Sequence, residues 1–359
     1  MAPKPRKKST TTKKEGEGND ADDDGTQVDT SAKRNKKKNP SSGAATKRKR
    51  GGGPGATQDQ PLYKTAFKDF VTKTVATGVQ GLLAEFDEIK KQTQAIGATP
   101  KVAFDTNPDK NRYKDVFCVD ESRVTLQGGD KDYIHANWVD VAGGDKRRYI
   151  CTQGPIVATI DDFWRMVWQE KCKSIVMLCN IVECGKKKCE QYWPETGEVK
   201  YGELTVKVTG KNEFEKLMTV TNLTVTDGAE SHELEHILWN NWPDRGVPAD
   251  KLTCFKLLEK LKKLSPTVIH CSAGIGRTGT IVGLDLIQAY LKLGEMKRAK
   301  DVVIELRARR HGSVQMDIQY LYIHRVLIAY GLSKGVLKES AVKSFIDAYE
   351  SLCKQRGFL

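Results

Sequence analysis

The first sixty residues contain no leucine, isoleucine, phenylalanine, tryptophan or tyrosine. They carry 15 Lys or Arg residues and 8 Asp or Glu residues, which gives a net charge of +7. A segment without large apolar side chains cannot bury enough surface to offset the entropy lost on ordering. We therefore predict that residues 1–60 form a disordered basic tail, with the run GGGPG at 51–55 as a flexible hinge.

The whole chain lacks an apolar run of about 18 residues, which argues against a transmembrane helix. Its basic N-terminus is not followed by the apolar stretch of a secretory signal. The nine cysteines are odd in number and irregularly spaced, which argues against a disulfide framework. These absences favour an intracellular protein, located in the cytoplasm, the nucleus or both.

Two basic clusters stand out in the tail, at 33–38 and 47–50. Runs of this kind suit an import receptor, the phosphates of a nucleic acid or an anionic membrane surface. No aromatic residue is interleaved with them for stacking on bases, which weakens the case for specific single-strand binding. A tail that only adds solubility fits the same composition.

About 300 residues remain, enough for one large domain with its own core. Apolar residues between 62 and 92 recur at three- and four-residue gaps, which predicts one or two amphipathic helices, broken near Gly78 and Gly81. Further strands are expected at 133–151, 174–182, 199–209, 216–226 and 232–239, and further helices at 160–170, 250–264, 277–293, 301–310, 316–331 and 338–353. Such interleaving predicts an α/β domain.

The most informative segment is HCSAGIGRTG, at 270–279. It follows an apolar pair typical of a buried strand and precedes a helical pattern. Small residues let successive backbone N–H groups point inward, and the helix N-terminus adds partial positive charge. Arg277 is able to grip two phosphate oxygens, and this setting lowers the pKa of a thiol such as Cys271. The segment therefore predicts a loop that binds a phosphate and attacks it.

Two simpler interpretations of this segment exist. A lone cysteine is more often a small buried core residue than a nucleophile. A glycine-rich turn between strand and helix also binds nucleotides, but neither GxGxxG nor GxxxxGK[ST] is present.

With this segment the chain resembles the cysteine-dependent protein tyrosine phosphatases, in their phosphotyrosine-specific, non-receptor branch with a single catalytic domain. The resemblance runs from about Asn111 to Arg325, and more loosely back to Gly78. It rests on NRYKD at 111–115, YI at 133–134, residues 149–155, DFW at 162–164, residues 175–178, KC at 188–189 through YWP at 192–194, WPD at 242–244, the segment at 270–279, and residues 315–320. It implies a twisted mixed β-sheet flanked by helices on both faces, a catalytic domain over 61–335 that begins with helices at 61–98, and a helical extension over 336–359.

The resemblance also implies a catalytic set. Cys271 is the nucleophile that forms a thiophosphate, and Thr278 assists the thiolate as leaving group. Asp244 acts as general acid and then as general base, on a mobile loop that Trp242 anchors beside Pro243. Gln315 orients the attacking water. Phosphate is bound by the backbone and side chains of the loop, namely Ser272, Ala273, Gly274, Ile275, Gly276 and Arg277, with Gln319 nearby.

Substrate choice is assigned in the same way. The resemblance implies that Tyr113 stacks on the phosphotyrosine ring, so that a shorter phosphoserine does not reach the cysteine, and that Asp115 binds the substrate backbone. The supporting residues that it implies are His270 in the signature, Glu183 as partner of Arg277, Lys188 as partner of the Asp244 loop, and the arginines Arg307 and Arg310. No metal and no organic cofactor is implied.

Three positions depart from the family pattern: His135 in place of Asn, Met316 in place of Thr, and Arg245 after the acid. None removes a chemical role, although Arg245 favours acidic substrates. A phosphotyrosine-binding pseudophosphatase is an alternative, but it would be expected to lose the cysteine, the arginine or the aspartate. A phosphoinositide phosphatase is a second alternative, but lysines are absent from the loop. The sequence thus favours an active phosphatase whose substrates are phosphotyrosine-containing proteins.

Overall fold

A computed structural model describes residues 60–94, 99–129, 131–143, 145–240 and 242–358. The prediction of a basic tail falls almost entirely on residues 1–59, which lie outside the described residues. Within the described ranges, no helix combines the length and the apolar character needed to cross a membrane.

The framework of the described part is a mixed β-sheet of nine strands. Its strands are β1 (Arg123–Thr125), β2 (Tyr133–Asp140), β3 (Arg148–Thr152), β4 (Ser174–Met177), β7 (Glu198–Tyr201), β8 (Leu204–Phe214), β9 (Met218–Thr226), β10 (Ser231–Trp239) and β11 (Thr267–His270). Two short strands, β5 (Val182–Glu183) and β6 (Lys186–Lys187), form a separate hairpin. The order in the large sheet is β1-β2-β3-β11-β4-β10-β9-β8-β7. The four neighbouring strands β3, β11, β4 and β10 run parallel to one another, and the pairs on either side of them are antiparallel.

The helices are α1 (Gln60–Gln94), α2 (Val102–Asp105), α3 (Ile160–Gln169), α4 (Thr253–Leu261), α5 (Arg277–Lys292), α6 (Ala299–Arg309), α7 (Asp317–Ser333) and α8 (Glu339–Gln355). Helix α5 is buried along nearly its whole length, which explains why apolar residues occur on most of its sides. Helix α1 packs on α5, α6, α7 and α8. The N-terminal and C-terminal helices therefore close one side of the domain together.

The predicted helix over 62–92 is one element with a sharp break. Gly78 has φ 66° and ψ 174°, so that two helices meet there, whereas Gly81 is helical. A positive φ with an extended ψ costs glycine little, because glycine has no Cβ to clash. The prediction of a break near Gly78 is confirmed, and residues on both sides of the break line a cavity.

Three predicted strands prove to be two elements each. Residues 133–151 contain β2 and β3 as an antiparallel pair, and the chain turns between them through Gly143 at φ 76°. The stretch 199–209 spans β7 and β8, which meet at a turn with Gly202 at φ 57°. The stretch 174–182 contains β4 and the first residue of β5. In the second case only two residues separate the strands, so periodicity alone does not reveal the turn.

Strand β11 positions the functional site. All four of its residues are buried, and it lies between the parallel strands β3 and β4 in the middle of the sheet. The chain leaves its carboxyl end directly into the segment at 271–276 and then enters α5. The carboxyl ends of parallel strands are the usual place for ligand sites in such sheets. The sequence motif therefore lies at the carboxyl end of a buried strand that is paired on both sides.

Candidate active site

The loop at 271–276 curls around a small space because two glycines permit it. Gly274 has φ +70°, and a Cβ on it would lie 1.9 Å from the carbonyl oxygen of Thr152. A Cβ on Gly276 would meet the side-chain amides of Gln315 and Gln319 at 3.1 and 3.2 Å. Larger residues at these positions would push the loop off β3 or displace the glutamines. The glycines thus let backbone N–H groups face inward, as an anion site requires.

The thiol of Cys271 lies at the base of this loop. It is 4 % exposed, and its Sγ accepts a hydrogen bond from the Gly274 N–H at 3.3 Å. Burial raises the pKa of the thiol, but the positive charge of Arg277 and the hydrogen bonds from Thr278 and Gly274 outweigh burial, so the net pKa lies below its ordinary value. The hydroxyl of Thr278 is buried and makes no other hydrogen bond that meets geometric criteria among the described residues, so it is free to donate to this sulfur. The environment of Cys271 therefore favours the thiolate.

Arg277 is held in place by a planar pair of hydrogen bonds. Its Nη1 and Nη2 donate to the two carboxylate oxygens of Glu183 at 2.6 and 2.7 Å. Nη1 also donates to the Trp242 carbonyl at 3.1 Å. Both charged side chains are nearly buried, at 3 % and 8 % exposure. Because a buried guanidinium needs a partner, Glu183 fixes the orientation of Arg277 in the cleft.

Asp244 lies over the loop and is paired with two cations. Its Oδ2 accepts a hydrogen bond from Lys188 at 2.5 Å, and its Oδ1 accepts one from Arg277 at 3.2 Å. Burial raises the pKa of this carboxyl, but Lys188, Arg277 and the neighbouring Arg245 outweigh burial and hold the pKa below its usual range. With these two cations as partners Asp244 is therefore a carboxylate.

Residues 242–246 form a compact turn that places Asp244 over the loop. The Trp242 indole donates a hydrogen bond to the Gly246 carbonyl at 3.0 Å and is 2 % exposed. Pro243 packs where a Cβ on Gly246 would be, at 2.9 Å. Arg245 is exposed with φ 58°, a left-handed conformation that favours glycine. The compact turn directs Asp244 into the cleft and Arg245 toward its mouth.

Tyr113 forms one wall of the cleft. Its hydroxyl is 2.8 Å from Ser272 Oγ, which in turn donates to the Lys188 carbonyl at 2.8 Å. Asp115 is exposed two residues further along. Together with the loop these groups line a cavity of ≈ 120 Å³. Its lining residues are Tyr113, Asp115, Val116, Lys188, Asp244, Arg245, Cys271, Ser272, Ala273, Arg277, Gln315 and Gln319.

Arg310 ties the back of the loop to the sheet. It is fully buried, and it donates to the carbonyls of Ala273 and Gly274 at 2.9 and 3.1 Å. It also donates to His135 Nδ1 at 3.0 Å and to Asn137 Oδ1 at 2.8 Å. These four bonds turn the loop carbonyls outward and leave its N–H groups facing the cleft.

His135 completes this support, although the sequence marked it only as a departure. Arginine only donates, so Nδ1 is the acceptor and the Nε2–H donates to the Val116 carbonyl at 2.8 Å. Burial, with a contribution from Arg310, lowers the pKa of His135 to about 3, so the ring is neutral. A neutral histidine here links the Arg310 side chain to the segment that follows Tyr113 and Asp115.

Replacing His135 by leucine is expected to lower the free energy of unfolding by about 1–3 kcal/mol and to reduce turnover, because Arg310 and the Val116 carbonyl lose a buried partner. His135→Asn restores a polar side chain and should recover part of both losses. Urea unfolding and initial rates measure the two effects. His232→Leu is the control, since His232 bonds the Cys172 carbonyl away from the loop; an equal loss of turnover there would refute the link.

Arg307 holds the segment that carries Gln315. It donates to the carbonyls of Ser313 and Val314 at 2.9 Å each and to Thr93 at the end of α1 at 2.8 Å. Burial lowers the pKa of its guanidinium to about 10. Gln315 is exposed at the cleft, and Gln319 accepts a hydrogen bond from the Met316 N–H at 3.1 Å. The departure at Met316 therefore leaves this backbone contact intact.

Behind the thiol lies a chain of hydrogen bonds that no sequence pattern indicates. The Nδ1–H of His270 donates to the Cys271 carbonyl at 3.1 Å, and the Tyr192 hydroxyl donates to its Nε2 at 2.7 Å. His236 Nε2 lies 2.8 Å from the same hydroxyl. Burial lowers the pKa of His270 to about 4 and that of His236 to about 3. No local signal relates these three positions, because strand order alone brings them together.

The structure gathers the residues singled out in the sequence at one cleft. Some of them line the wall of the cleft. A second group lies directly behind the wall: Glu183, Trp242, Pro243, Thr278, His270, Arg307 and Arg310. Ile275 and Gly276 complete the loop: the Ile275 carbonyl accepts from the N–H groups of Gly279 and Val314. Their catalytic roles remain predictions.

Comparisons with known proteins agree with this geometry. Residues 107–329 match the family described as "Protein-tyrosine phosphatase". The chain is 39 % identical over 259 residues to a "Tyrosine-protein phosphatase Lar-like" of Caenorhabditis elegans, covering 69 % of this chain and 12 % of that protein. It is 36 % identical to human "Tyrosine-protein phosphatase non-receptor type 12", covering 66 % of this chain and 32 % of that protein. The chain thus spans a third or less of these relatives' lengths.

Solved structures give the same result. The catalytic domain of human protein tyrosine phosphatase non-receptor type 18 aligns with a TM-score of 0.65 at 33 % identity, covering 69 % of this chain and 95 % of that one. A complex of PTPN18 with HER2 phosphopeptides aligns with a TM-score of 0.68 at 32 % identity, covering 74 % and 99 %. The expected fold, a twisted mixed sheet with flanking helices, is confirmed.

Proposed function

The chain belongs to the protein tyrosine phosphatase family, and from this premise we propose that it hydrolyses phosphotyrosine in proteins through a cysteinyl-phosphate intermediate on Cys271. The observation that carries the proposal is the coincidence of three groups at one cavity: a thiol with a lowered pKa, a guanidinium fixed beside it, and a carboxyl poised above both. A scaffold that only binds phosphotyrosine has no need for the third group.

In the first step the Cys271 thiolate attacks phosphorus. The bond from phosphorus to the tyrosine oxygen breaks as the bond to sulfur forms, and Asp244 gives its proton to the leaving oxygen. Arg277 and the inward N–H groups of the loop balance the charge on the phosphoryl oxygens.

Asp244 must first acquire that proton. While Lys188 and Arg277 are its partners, they hold its pKa down. A phosphate dianion competes for Arg277 and adds negative charge beside the carboxyl, and both effects raise the pKa of Asp244. Substrate binding therefore turns the carboxylate into the acid that the first step needs.

In the second step a water molecule attacks phosphorus. Asp244, now a carboxylate, takes the proton of this water, and Gln315 at the edge of the cleft orients it. The sulfur–phosphorus bond breaks, the thiolate is restored with help from the Thr278 hydroxyl, and inorganic phosphate leaves. All electrons and protons are accounted for by the side chains and one water, so the cycle needs no added cofactor.

Three substrates discriminate the protein phosphatase from its alternatives: a phosphotyrosine peptide, the same peptide with phosphoserine, and a phosphoinositide in vesicles. We expect phosphate release from the first alone. Tyr113, hydrogen-bonded to Ser272, forms one wall of the pocket, and a phosphoserine side chain is too short to cross this pocket to Cys271. Release chiefly from the lipid would favour the phosphoinositide alternative. Binding of the phosphotyrosine peptide without release would favour the pseudophosphatase.

Location is inferred from the thiols. All nine cysteines are free in the structure, and a catalytic thiolate needs a reducing environment. We propose that the protein acts inside the cell. Its basic clusters at 33–38 and 47–50 are proposed to contact an import receptor, a nucleic acid or an anionic membrane.

Deleting residues 1–50 is expected to leave turnover of a small aryl phosphate unchanged and to shift the cellular distribution, because the deletion removes the basic clusters and no described residue. Fractionation or imaging of a tagged chain measures the shift. An unchanged distribution would leave only the solubilising role.

A further inference from the structure

A cavity of ≈ 380 Å³ lies beside the break in α1, apart from the catalytic cleft. Its apolar walls come from Phe70 and Leu82 on either side of the break, from Met296 in the loop before α6, and from Ala299, the first residue of α6. The remaining lining residues are Lys73, Thr74, Ala76, Thr77, Glu85, Lys297, Arg298 and His324. None of these residues lines the catalytic cleft. Three elements, α1, α6 and α7, thus enclose a space that catalysis does not use.

His324, on α7, contributes a buried polar group to this wall. It is 4 % exposed and its ring lies against Phe70. Its Nδ1 is 2.8 Å from Thr74 Oγ1, while its Nε2 is buried without a partner among the described residues. Thr74 makes no other side-chain bond in the described part, so its hydroxyl is free to donate to Nδ1 and leave a hydrogen on Nε2. An unmet buried donor is costly, and it suggests that a ligand satisfies it.

The charged groups at this cavity favour an anion. Lys73 has no ion-pair partner among the described residues. The other two cations are partly neutralised, Lys297 by Glu305 and Arg298 by Asp301.

The single carboxylate in the wall, that of Glu85, accepts a hydrogen bond from the Tyr320 hydroxyl at 2.9 Å. Among the described residues of the wall, Lys73 is thus the cation without a carboxylate partner, and the His324 Nε2–H is the donor without an acceptor. An apolar body therefore fits the wall, and a negative group fits beside Lys73 and His324.

We propose that this cavity binds a small organic anion with an apolar body, such as a short aliphatic carboxylate. Its hydrocarbon part packs against Phe70, Leu82 and Met296. One anionic oxygen accepts the Nε2–H of His324, and the charge faces Lys73. The site is independent of the proposed chemistry at Cys271, so either proposal survives the failure of the other.

The test is a titration of the full chain with octanoate, followed by long-range ¹H–¹⁵N spectra of the histidine rings. We expect saturable binding and a shift of the His324 Nε2 resonance. Octanamide, equal in size but uncharged, should bind more weakly. Ala76→Phe fills the mouth of the cavity and should abolish binding, while Lys73→Gln should weaken it about fivefold.

Matched controls lie on the same helix outside the cavity. Thr72→Phe and Lys68→Gln change exposed residues that do not line it and should leave the affinity unchanged. Equal affinity for octanoate in Ala76→Phe and wild type would refute the site. So would a His324 resonance that does not move at saturation, or the absence of saturable binding up to the solubility of octanoate. Equal affinity for octanamide would refute its anion preference.

Discussion

Replacing Cys271 by serine is expected to lower turnover of a phosphotyrosine peptide by a factor on the order of 10⁴–10⁶. The catalytic groups act as a unit, so that loss of the nucleophile removes most of the catalysis. The serine hydroxyl is not ionised in the setting that stabilises the thiolate. The loop N–H groups and Arg277 remain, so the peptide should still bind. Initial rates and a binding titration with the same peptide measure the two quantities separately.

The matched control is Cys189→Ser. Cys189 is also buried, and its Sγ lies 3.1 Å from where a Cβ on Gly154 would be. Burial raises the pKa of Cys189 to about 12, so it stays a neutral thiol at physiological pH. Its replacement should change turnover only a few-fold. If Cys271→Ser kept its activity, or if both variants lost activity equally, the nucleophile would have to be sought elsewhere.

The catalytic loop was predictable from sequence because its chemistry is local. Cys271 and Arg277 are the two ends of one short loop. Gly274 and Gly276 are required within it, because a Cβ on either would lie 1.9 Å or 3.1 Å from its nearest neighbouring atom. The strand before and the helix after it are equally local signals. The partners Glu183, Lys188 and Asp244 are distant in sequence and entered only through the family resemblance.

The support behind the loop was not predictable in the same way. Arg310 and His135 are 175 residues apart and meet because α6 ends against β2. Nothing near His135 in the sequence tells whether it is charged, and only its burial between a donor and a carbonyl fixes it as neutral. The same holds for His324, whose Nδ1 meets the Thr74 hydroxyl 250 residues away in the sequence. Such pairings follow from topology, which residue patterns do not encode locally.

Replacing Asp244 by asparagine is expected to lower kcat for a phosphotyrosine peptide by about 10²–10⁴, the usual contribution of a positioned proton donor. KM should stay similar or fall, because the charge that competes with phosphate for Arg277 and Lys188 is removed. The acid acts only when protonated, so the wild-type kcat falls as pH rises through the pKa of Asp244 in the complex. The variant should lose this alkaline fall, and a pH profile of kcat measures it.

The leaving group makes this prediction sharper. When the phenol of an aryl phosphate is strongly acidic, its leaving oxygen needs little protonation. Asp244→Asn should therefore lower the rate of the first step much less on such a substrate than on phosphotyrosine. Asp115→Asn is the control, because it removes a carboxylate from the same cavity. It is expected to raise KM for a peptide and to spare kcat and the pH profile. Equal losses on both leaving groups, with the alkaline fall intact, would show that Asp244 shapes the cleft and that the proton comes from another group. The ion pairs to Lys188 and Arg277 would then serve only to close the loop.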